Sequence, residues 1–381
     1  EEAQELTGLE NPNSLAQLKE WLSAAGVEMT SITKDTIAAK LQEDLPDEVR
    51  RALEIRQALG KTSVAKYSTM LDAVSDDGRL RGILQFYGAN RSGRWSGKLV
   101  QTHNLARNTL PDLDLVRELV SEGDFDTVQT LFGETSFVFS ELVRTAFIPS
   151  EGCRFVVSDF SAIEARVISW ISGEEWRLEA FRAGKDIYCE SASQMYHVPV
   201  VKHGENGELR QKGKIAELAL GYQGGVGAMK QMDKGGSIPE EEMQGIVDQW
   251  RLANPKVVKL WKTCEMAAKT SIEEKRTVKI RCGIAFRYIQ GNLFITLPNG
   301  RHLCYWGARL EEDPRGWGSK IIYMGVNQTT KQWGKVETYG GKLVENIVQA
   351  TARDCLAEVM RRVSSLGYQI VMHVHDEIIV D

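Results

Sequence analysis

The chain has 381 residues, 42% of them apolar, and a formal net charge of −5. No stretch reaches the ~18 consecutive apolar residues of a membrane-spanning helix, and the acidic opening EEAQELTGLENPNS suits neither a secretion signal nor a transit peptide. Six cysteines without a CxxC pair argue against a zinc site and for reduced thiols in a cytosol-like compartment, whereas net charge leaves the partner open because a basic cleft can sit on an acidic protein.

Residues 1 to about 80 read as helices. Ser14 with Gln17 makes a capping-box pattern, Leu15, Leu18, Trp21 and Leu22 form an apolar stripe, and Gly26 suits the helix end. Pro46, Asp47 and Glu48 start another helix that Gly60 ends, and a third spans Ser63 to Val74 before the turn Asp76-Asp77-Gly78. Leu84-Gln85-Phe86-Tyr87 reads as a strand, followed by the glycine-punctuated ANRSGRWSGKLVQTHNLAR. Arg154 to Ser158 is a second strand that runs into Asp159-Phe160-Ser161 and a helical pattern. Trp170 to Ser271 is mainly helical, Thr277 to Tyr323 alternates again with Pro298-Asn299-Gly300 as a hairpin turn, and Val344 to Val363 is a helix. Two β-branched runs, Ile370 to Val374 and Ile378 to Val380, then flank His375-Asp376-Glu377. This order predicts an α+β fold whose sheet is interrupted by an inserted helical domain.

Three stretches carry chemistry. In VVSDFSAIEAR an apolar strand delivers Asp159 to its end, and Glu164 and Arg166 follow in a helix. Read alone, Asp159 or Ser161 could equally cap that helix. In RQKGKIAELALGYQGG, Arg210 and Lys214 lie one helical turn apart, a spacing that suits adjacent phosphates. Leu218 and Tyr222 continue the series, and the small residues Gly213, Ala216, Ala219 and Gly221 allow close approach. Cations four residues apart are also ordinary on a solvated face, and a Leu/Tyr stripe is ordinary in a core. In HVHDEIIVD a hairpin tip would hold Asp376 and Glu377 side by side, a repulsion that a divalent cation removes, although an exposed acidic turn is common. Together the three supply what two-metal phosphoryl transfer requires: two aspartates for the ions and a cationic helix for the leaving pyrophosphate.

These residues resemble the polymerase portion of DNA polymerase family A (the DNA polymerase I family), especially its phage-encoded branch. DFSAIEAR is similar to the family's motif A, RQKGKIAELALGYQGG to motif B, HVHDE to motif C, SGRWSGKLVQTHNLAR to the primer-template segment, and ENIVQATARD to the helix that reaches the minor groove. The resemblance implies a right-hand architecture, with a partial thumb at 1–82, palm at 83–170 and 336–381, and fingers at 171–335. It implies Asp159, Asp376 and the Phe160 carbonyl as ligands of two Mg²⁺ (with Mn²⁺ able to substitute), and Glu377 as their support. Phe160, Ser161, Glu164, Arg210, Lys214, Leu218 and Tyr222 would line the dNTP site, with Glu164 excluding a 2′-hydroxyl, Lys214 protonating pyrophosphate and Tyr222 stacking near the templating base. Arg94, Asn104, Arg107, Gln349 and His375 would contact primer-template DNA without reading sequence. A monomer in the cytoplasm of a bacterium or an infected host is implied; a processivity partner is not legible.

The chain departs from the family pattern at Leu218, where cellular members carry Phe or Tyr. It departs again at Tyr188, which stands for a nucleotide-contacting His, and at Gln223, which separates Tyr222 from the glycines. An exonuclease domain has no counterpart, and the family continues past the position of Asp381, so the sequence reads as a fragment. Rival readings are a single-subunit RNA polymerase, which Glu164 disfavours, a catalytically impaired DNA-binding fragment, and a metal-dependent phosphohydrolase, which would not need the Arg210/Lys214/Tyr222 helix.

Overall fold

The computed structural model describes residues 2–12, 14–29, 31–59, 65–314, 316, 318–327 and 330–381. Contacts divide the chain into two compact units, Glu1–Gln85 with Ser96–Cys153, and Phe86–Trp95 with Arg154–Asp381.

The first unit is helical. It holds α1 (Glu2–Thr7), α2 (Leu15–Ala24), α3 (Lys34–Lys40), α4 (Asp47–Leu59), α5 (Ala65–Ala73), α6 (Leu113–Glu122), α7 (Phe125–Phe132) and α8 (Thr135–Leu142), plus a minimal ladder of β1 (Leu84–Gln85) and β2 (Ser96–Gly97). Ser14 caps α2 by accepting the Gln17 amide, but the Gln17 side chain accepts the Asn11 amide instead of reaching back to Ser14, so only half of the expected capping box forms. Leu18 and Leu22 are buried with Val49 and Leu53 of α4, whereas Leu15 is exposed. Gly60 and Ser63 lie outside the described residues. The expected strand at 84–87 stops after Gln85, because Tyr87 takes a positive φ of 56° that no strand accommodates. Helices α6 to α8 were not anticipated; Asp112 and Asp124 cap the first two by accepting amides three residues on.

The second unit begins with the edge strand β3 (Val156–Asp159), followed by seven helices: α9 (Ile163–Ser172), α10 (Glu175–Arg182), α11 (Ile187–Tyr196), α12 (Leu209–Leu220), α13 (Val226–Met232), α14 (Glu240–Ala253) and α15 (Pro255–Glu274). Then come β4 (Val278–Lys279), β5 (Ala285–Ile289), β6 (Asn292–Thr296), β7 (His302–Glu312), β8 (Ser319–Val326) and β9 (Trp333–Thr338). The long α16 (Gly340–Ser365) leads into the hairpin β10 (Ile370–Val374) and β11 (Glu377–Val380). The α+β expectation holds. The expected interruption is also present, since β3 pairs with β11 in an antiparallel sheet of order β10-β11-β3. The strands between do not extend that sheet. They form a separate six-stranded antiparallel sheet, β4 to β9 in sequence order, because each consecutive pair closes by a short local connection. Its alternation buries Phe286, Leu293, Ile295, Leu303 and Tyr305 in one core with Leu260 and Trp261 of α15 and Val344 and Ile347 of α16.

Candidate active site

Two carboxylates far apart in sequence meet at one end of the three-stranded sheet. Strand β3 ends at Asp159, which stands opposite Glu377, the first residue of β11 and not, as expected, part of the turn. Directly opposed residues place their Cβ atoms about 5 Å apart. Val374 pairs with Glu377, which leaves His375 and Asp376 as a two-residue turn with His375 at φ 52°. The Phe160 amide donates to the Asp376 carbonyl at 3.2 Å, tying the end of β3 to the hairpin tip. Neither Asp159 nor Ser161 caps the following helix. The residue before α9 is Ala162, at φ 52° and with no side-chain cap, so both polar side chains are spared for other work.

Arg94 holds this end together. One guanidinium nitrogen donates to Glu164 Oε1 and the other to Asp376 Oδ1, each at 2.8 Å. Glu164 accepts the Tyr222 hydroxyl through its other oxygen at 2.6 Å. Burial pushes the Tyr222 phenol well above its ordinary range, and the Glu164 charge adds to the effect, so Tyr222 stays a neutral donor. Burial likewise raises the Asp376 carboxyl; Arg94 opposes that rise while Glu164 and Asp159 reinforce it. Arg94 thus pairs with two carboxylates, Glu164 and Asp376, while Asp159 and Glu377 stand opposite each other at the same sheet end without a cation of their own among the described residues.

That imbalance is the test of fit for a divalent cation. Among the described residues no three acidic, His or Cys side chains converge as a ready-made cage. A hard cation such as Mg²⁺ needs only one or two carboxylates when substrate phosphates complete its shell. Asp159 and Asp376, with excess negative charge about them, fit that requirement.

The segment carrying Arg94 is fixed by residues that the motif comparison passed over. Arg301 pairs with Asp354 of α16 at 3.0 Å and donates to the Ser92 and Ala350 carbonyls at 3.1 and 3.0 Å. Arg353 donates to the Gly93 carbonyl at 3.1 Å, and its guanidinium lies 4.4 Å from the Trp95 ring centroid. Gly93 has φ 75°, and a Cβ there would come within 2.5 Å of the Tyr87 ring, so glycine is required beside Arg94. Arg353 and Asp354 close the ENIVQATARD stretch; their presence in it was the one available signal.

Helix α12 presents its expected residues in order, but only Tyr222, just past its end, joins the carboxylate cluster. Arg210 is held by Asp186, which accepts from its Nε at 2.9 Å, and it lies over the Tyr188 ring at 5.3 Å. Asp186 is a further residue that sequence reasoning missed, visible only as the cap of α11. Lys214 is half-buried and its ammonium has no hydrogen bond or ion pair among the described residues; Leu218 is exposed. The close approach promised by the small residues is made by α11: a Cβ at Gly213 would sit 2.2 Å from the Tyr188 carbonyl oxygen. Gln349 lines a cavity beside α16, and His375 is exposed at the hairpin tip. Asn104 and Arg107 are exposed residues of the first unit.

The model of DNA polymerase family A matches residues 1–381. The chain belongs to this family. It is 52% identical over its full length to a DNA polymerase of Bacillus phage SP02, covering 59% of that protein, in keeping with the phage branch. It is 34% identical over 115 residues to the thermostable DNA polymerase I of Thermus aquaticus, 30% of this chain and 13% of the relative. Among solved structures, the POL domain of Pol1 from M. smegmatis, in complex with DNA primer-template and dNTP, matches with a TM-score of 0.59 at 17% identity. That match covers 100% of this chain and 56% of the other, and it supports the family A fold. The chain therefore spans a little over half the length of the phage relative and of this structure. No helix among the described residues is long and apolar enough to cross a membrane.

Proposed function

We propose that the chain is the polymerising part of a DNA-templated DNA polymerase, adding dNTPs to a primer 3′-hydroxyl with release of pyrophosphate. The observation that carries this reading is the joining of Asp159 to Asp376 through β11, with Arg94, Glu164 and Tyr222 linked to that pair by hydrogen bonds. In this reading residues 1–82 belong to the thumb, 83–170 and 336–381 to the palm, and 171–335 to the fingers.

Asp159, Asp376 and the Phe160 carbonyl would hold two Mg²⁺, which when bound lower the pKa of the attacking hydroxyl and neutralise phosphate charge. Glu377, opposite Asp159, adds negative charge that favours this binding. Arg94 leaves Asp376 for the primer terminus, so its guanidinium neutralises the unloaded site and orients DNA in the loaded one. The bond from the 3′-oxygen to the α-phosphorus forms as the bond to the bridging oxygen breaks. The hydroxyl proton passes to solvent, and Lys214, without a partner among the described residues, gives its ammonium proton to the departing pyrophosphate. Arg210 exchanges the Asp186 carboxylate for the triphosphate. Glu164, fixed by Arg94 and Tyr222, occupies the space that a ribose 2′-hydroxyl needs. Asn104, Arg107, Gln349 and His375 contact the primer-template backbone and minor groove.

Primer extension with Mg²⁺ on a primed template, run beside Asp376→Asn, tests the reading. The unmodified chain should extend with dNTPs, reject rNTPs and lose activity on substitution; robust extension by Asp376→Asn would end it, and equal use of rNTPs would favour an RNA polymerase.

A further inference from the structure

We propose that the six-stranded sheet carries a binding track for single-stranded DNA, built on Trp306 and Trp333 and continuous with Gln349 of α16. The ligand class rests on the polymerase reading above; the site itself lies outside every residue assigned there except Gln349.

A cavity of about 620 Å³ opens beside α16, lined among others by Arg91, Trp306, Lys331, Trp333, Asn346 and Gln349. A second cavity of about 310 Å³ lies over β5 to β7 and is lined by Arg287, Phe294 and His302. Trp306 lines both, so the two cavities adjoin at its ring. The strand register explains why its rings are available. Trp306 pairs with Met324, and Trp333 pairs with Val326 two residues along the same strand, so both indoles stand on one face of the sheet. The residue before Trp306 turns the other way: Tyr305 is buried and accepts from Asn346 of α16 at 2.8 Å. Trp306 and Trp333 are left 55% and 61% exposed, a large area of indole to leave in water.

Charge selects the occupant. The side chains of Arg91, Arg287 and Lys331 make no hydrogen bond or ion pair among the described residues. The acids nearby are already engaged, Glu345 by Lys342 at 2.8 Å, Glu311 by Arg309 at 2.6 Å and Glu337 by Lys320 at 3.3 Å. What remains uncompensated is positive. Exposed aromatic faces together with cations that have no partner among the described residues match a polyanion whose bases are free to stack. Duplex DNA hides those faces, so the surface favours the single strand.

Fluorescence anisotropy of a labelled 20-mer oligothymidylate, with an unlabelled blunt duplex of equal length as competitor, reads the site. Trp306→Ala and Trp333→Ala should each weaken the oligothymidylate about 5- to 100-fold, and Trp306→Phe should restore most of the loss. Lys331→Ala should reduce the slope of log affinity against log salt by about 0.7. Both exposed positions tolerate truncation without unfolding, which circular dichroism checks. Unchanged oligothymidylate affinity in both tryptophan variants overturns the proposal, as does an equal loss for the duplex. It is also overturned by a dimer that Trp306→Ala dissolves without altering DNA affinity, since the face would then belong to a second copy. Primer extension by the unmodified chain is scored separately: if it succeeds while the tryptophan variants bind normally, the track fails and the polymerase reading stands.

Discussion

Asp186 uses its two carboxylate oxygens for different ends. Oδ1 accepts the amides of Tyr188 and Cys189 at the start of α11, while Oδ2 takes Arg210. An asparagine keeps the first function and loses the second. If a nucleotide must draw Arg210 away from Asp186, then Asp186→Asn should lower the dNTP KM about two- to fivefold, the value of an ion pair of up to about 1 kcal/mol. Steady-state extension kinetics measure this, and a raised KM would mean that Asp186 positions the guanidinium instead of competing for it. Asp186→Ala also loses the cap and should drop stability by about 0.5–2 kcal/mol in urea denaturation. Leu218 poses a separate question on the same helix. It is 49% exposed, so Leu218→Phe meets no core and should leave stability within about 0.5 kcal/mol. If position 218 belongs to the proposed dNTP site, single-turnover extension should nevertheless show a changed incorporation rate and changed discrimination against dideoxynucleotides, because the substitution adds a ring there. If both stay as they were, Leu218 has no part in that pocket.

Elements pack here through small residues and register, and the packing of α12 on α11 is the sharpest case. Gly213 lets the Tyr188 carbonyl approach where a methyl group would overlap backbone, and backbone cannot swing aside as a side chain can. Gly213→Ala should therefore cost about 1–3 kcal/mol and, by moving Tyr188, disturb the ring beneath Arg210. A drop in urea midpoint with an unchanged nucleotide KM would confine the effect to stability. The sequence already announced that something comes close to Gly213, but not that it is α11, because a one-dimensional pattern marks a surface without naming its neighbour. The same limit explains the sheets. The Ser14 cap, the acidic first turn of α4 at Asp47 and Glu48, the β3 strand and the terminal hairpin follow from local chemistry, and so were legible. That β3 joins the hairpin while six other strands close among themselves depends on pairings between distant segments, which periodicity does not encode. The candidate site divides along the same line. Asp159, Asp376, Glu164 and Tyr222 stood out by motif, whereas Arg301, Arg353 and Asp354, which pin the Arg94 segment, act through contacts visible only in the fold.

At the scale of the whole molecule, stability must be read unit by unit, since two compact units with separate cores need not unfold together. Trp21 is the one tryptophan of nine that falls in the first unit, so intrinsic fluorescence follows the second. The helical part of that unit is organised around a buried ion pair. Arg177, 1% exposed, donates to both oxygens of Glu217, to Ser169 Oγ at 2.8 Å and to Asn254 Oδ1 at 2.9 Å. Glu217 also accepts from Ser191 Oγ at 2.8 Å and from Trp250 Nε1 at 2.9 Å, so α9, α10, α11, α12 and α14 all meet at one charge pair. Removing the cation strands a carboxylate where water cannot reach it. Arg177→Leu should accordingly cost about 3–5 kcal/mol, seen as a fall in the urea midpoint of the fluorescence transition. Adding Glu217→Gln should return part of that loss, because an unpaired neutral amide costs less to bury than an unpaired charge. Strict additivity of the two substitutions would show that the pair acts as ordinary packing, and the hub assigned to it would dissolve. Helix α12 carries Glu217 two turns along from Arg210 on nearly the same face, so the double variant should also regain whatever nucleotide affinity the single one loses in proportion to its recovered stability.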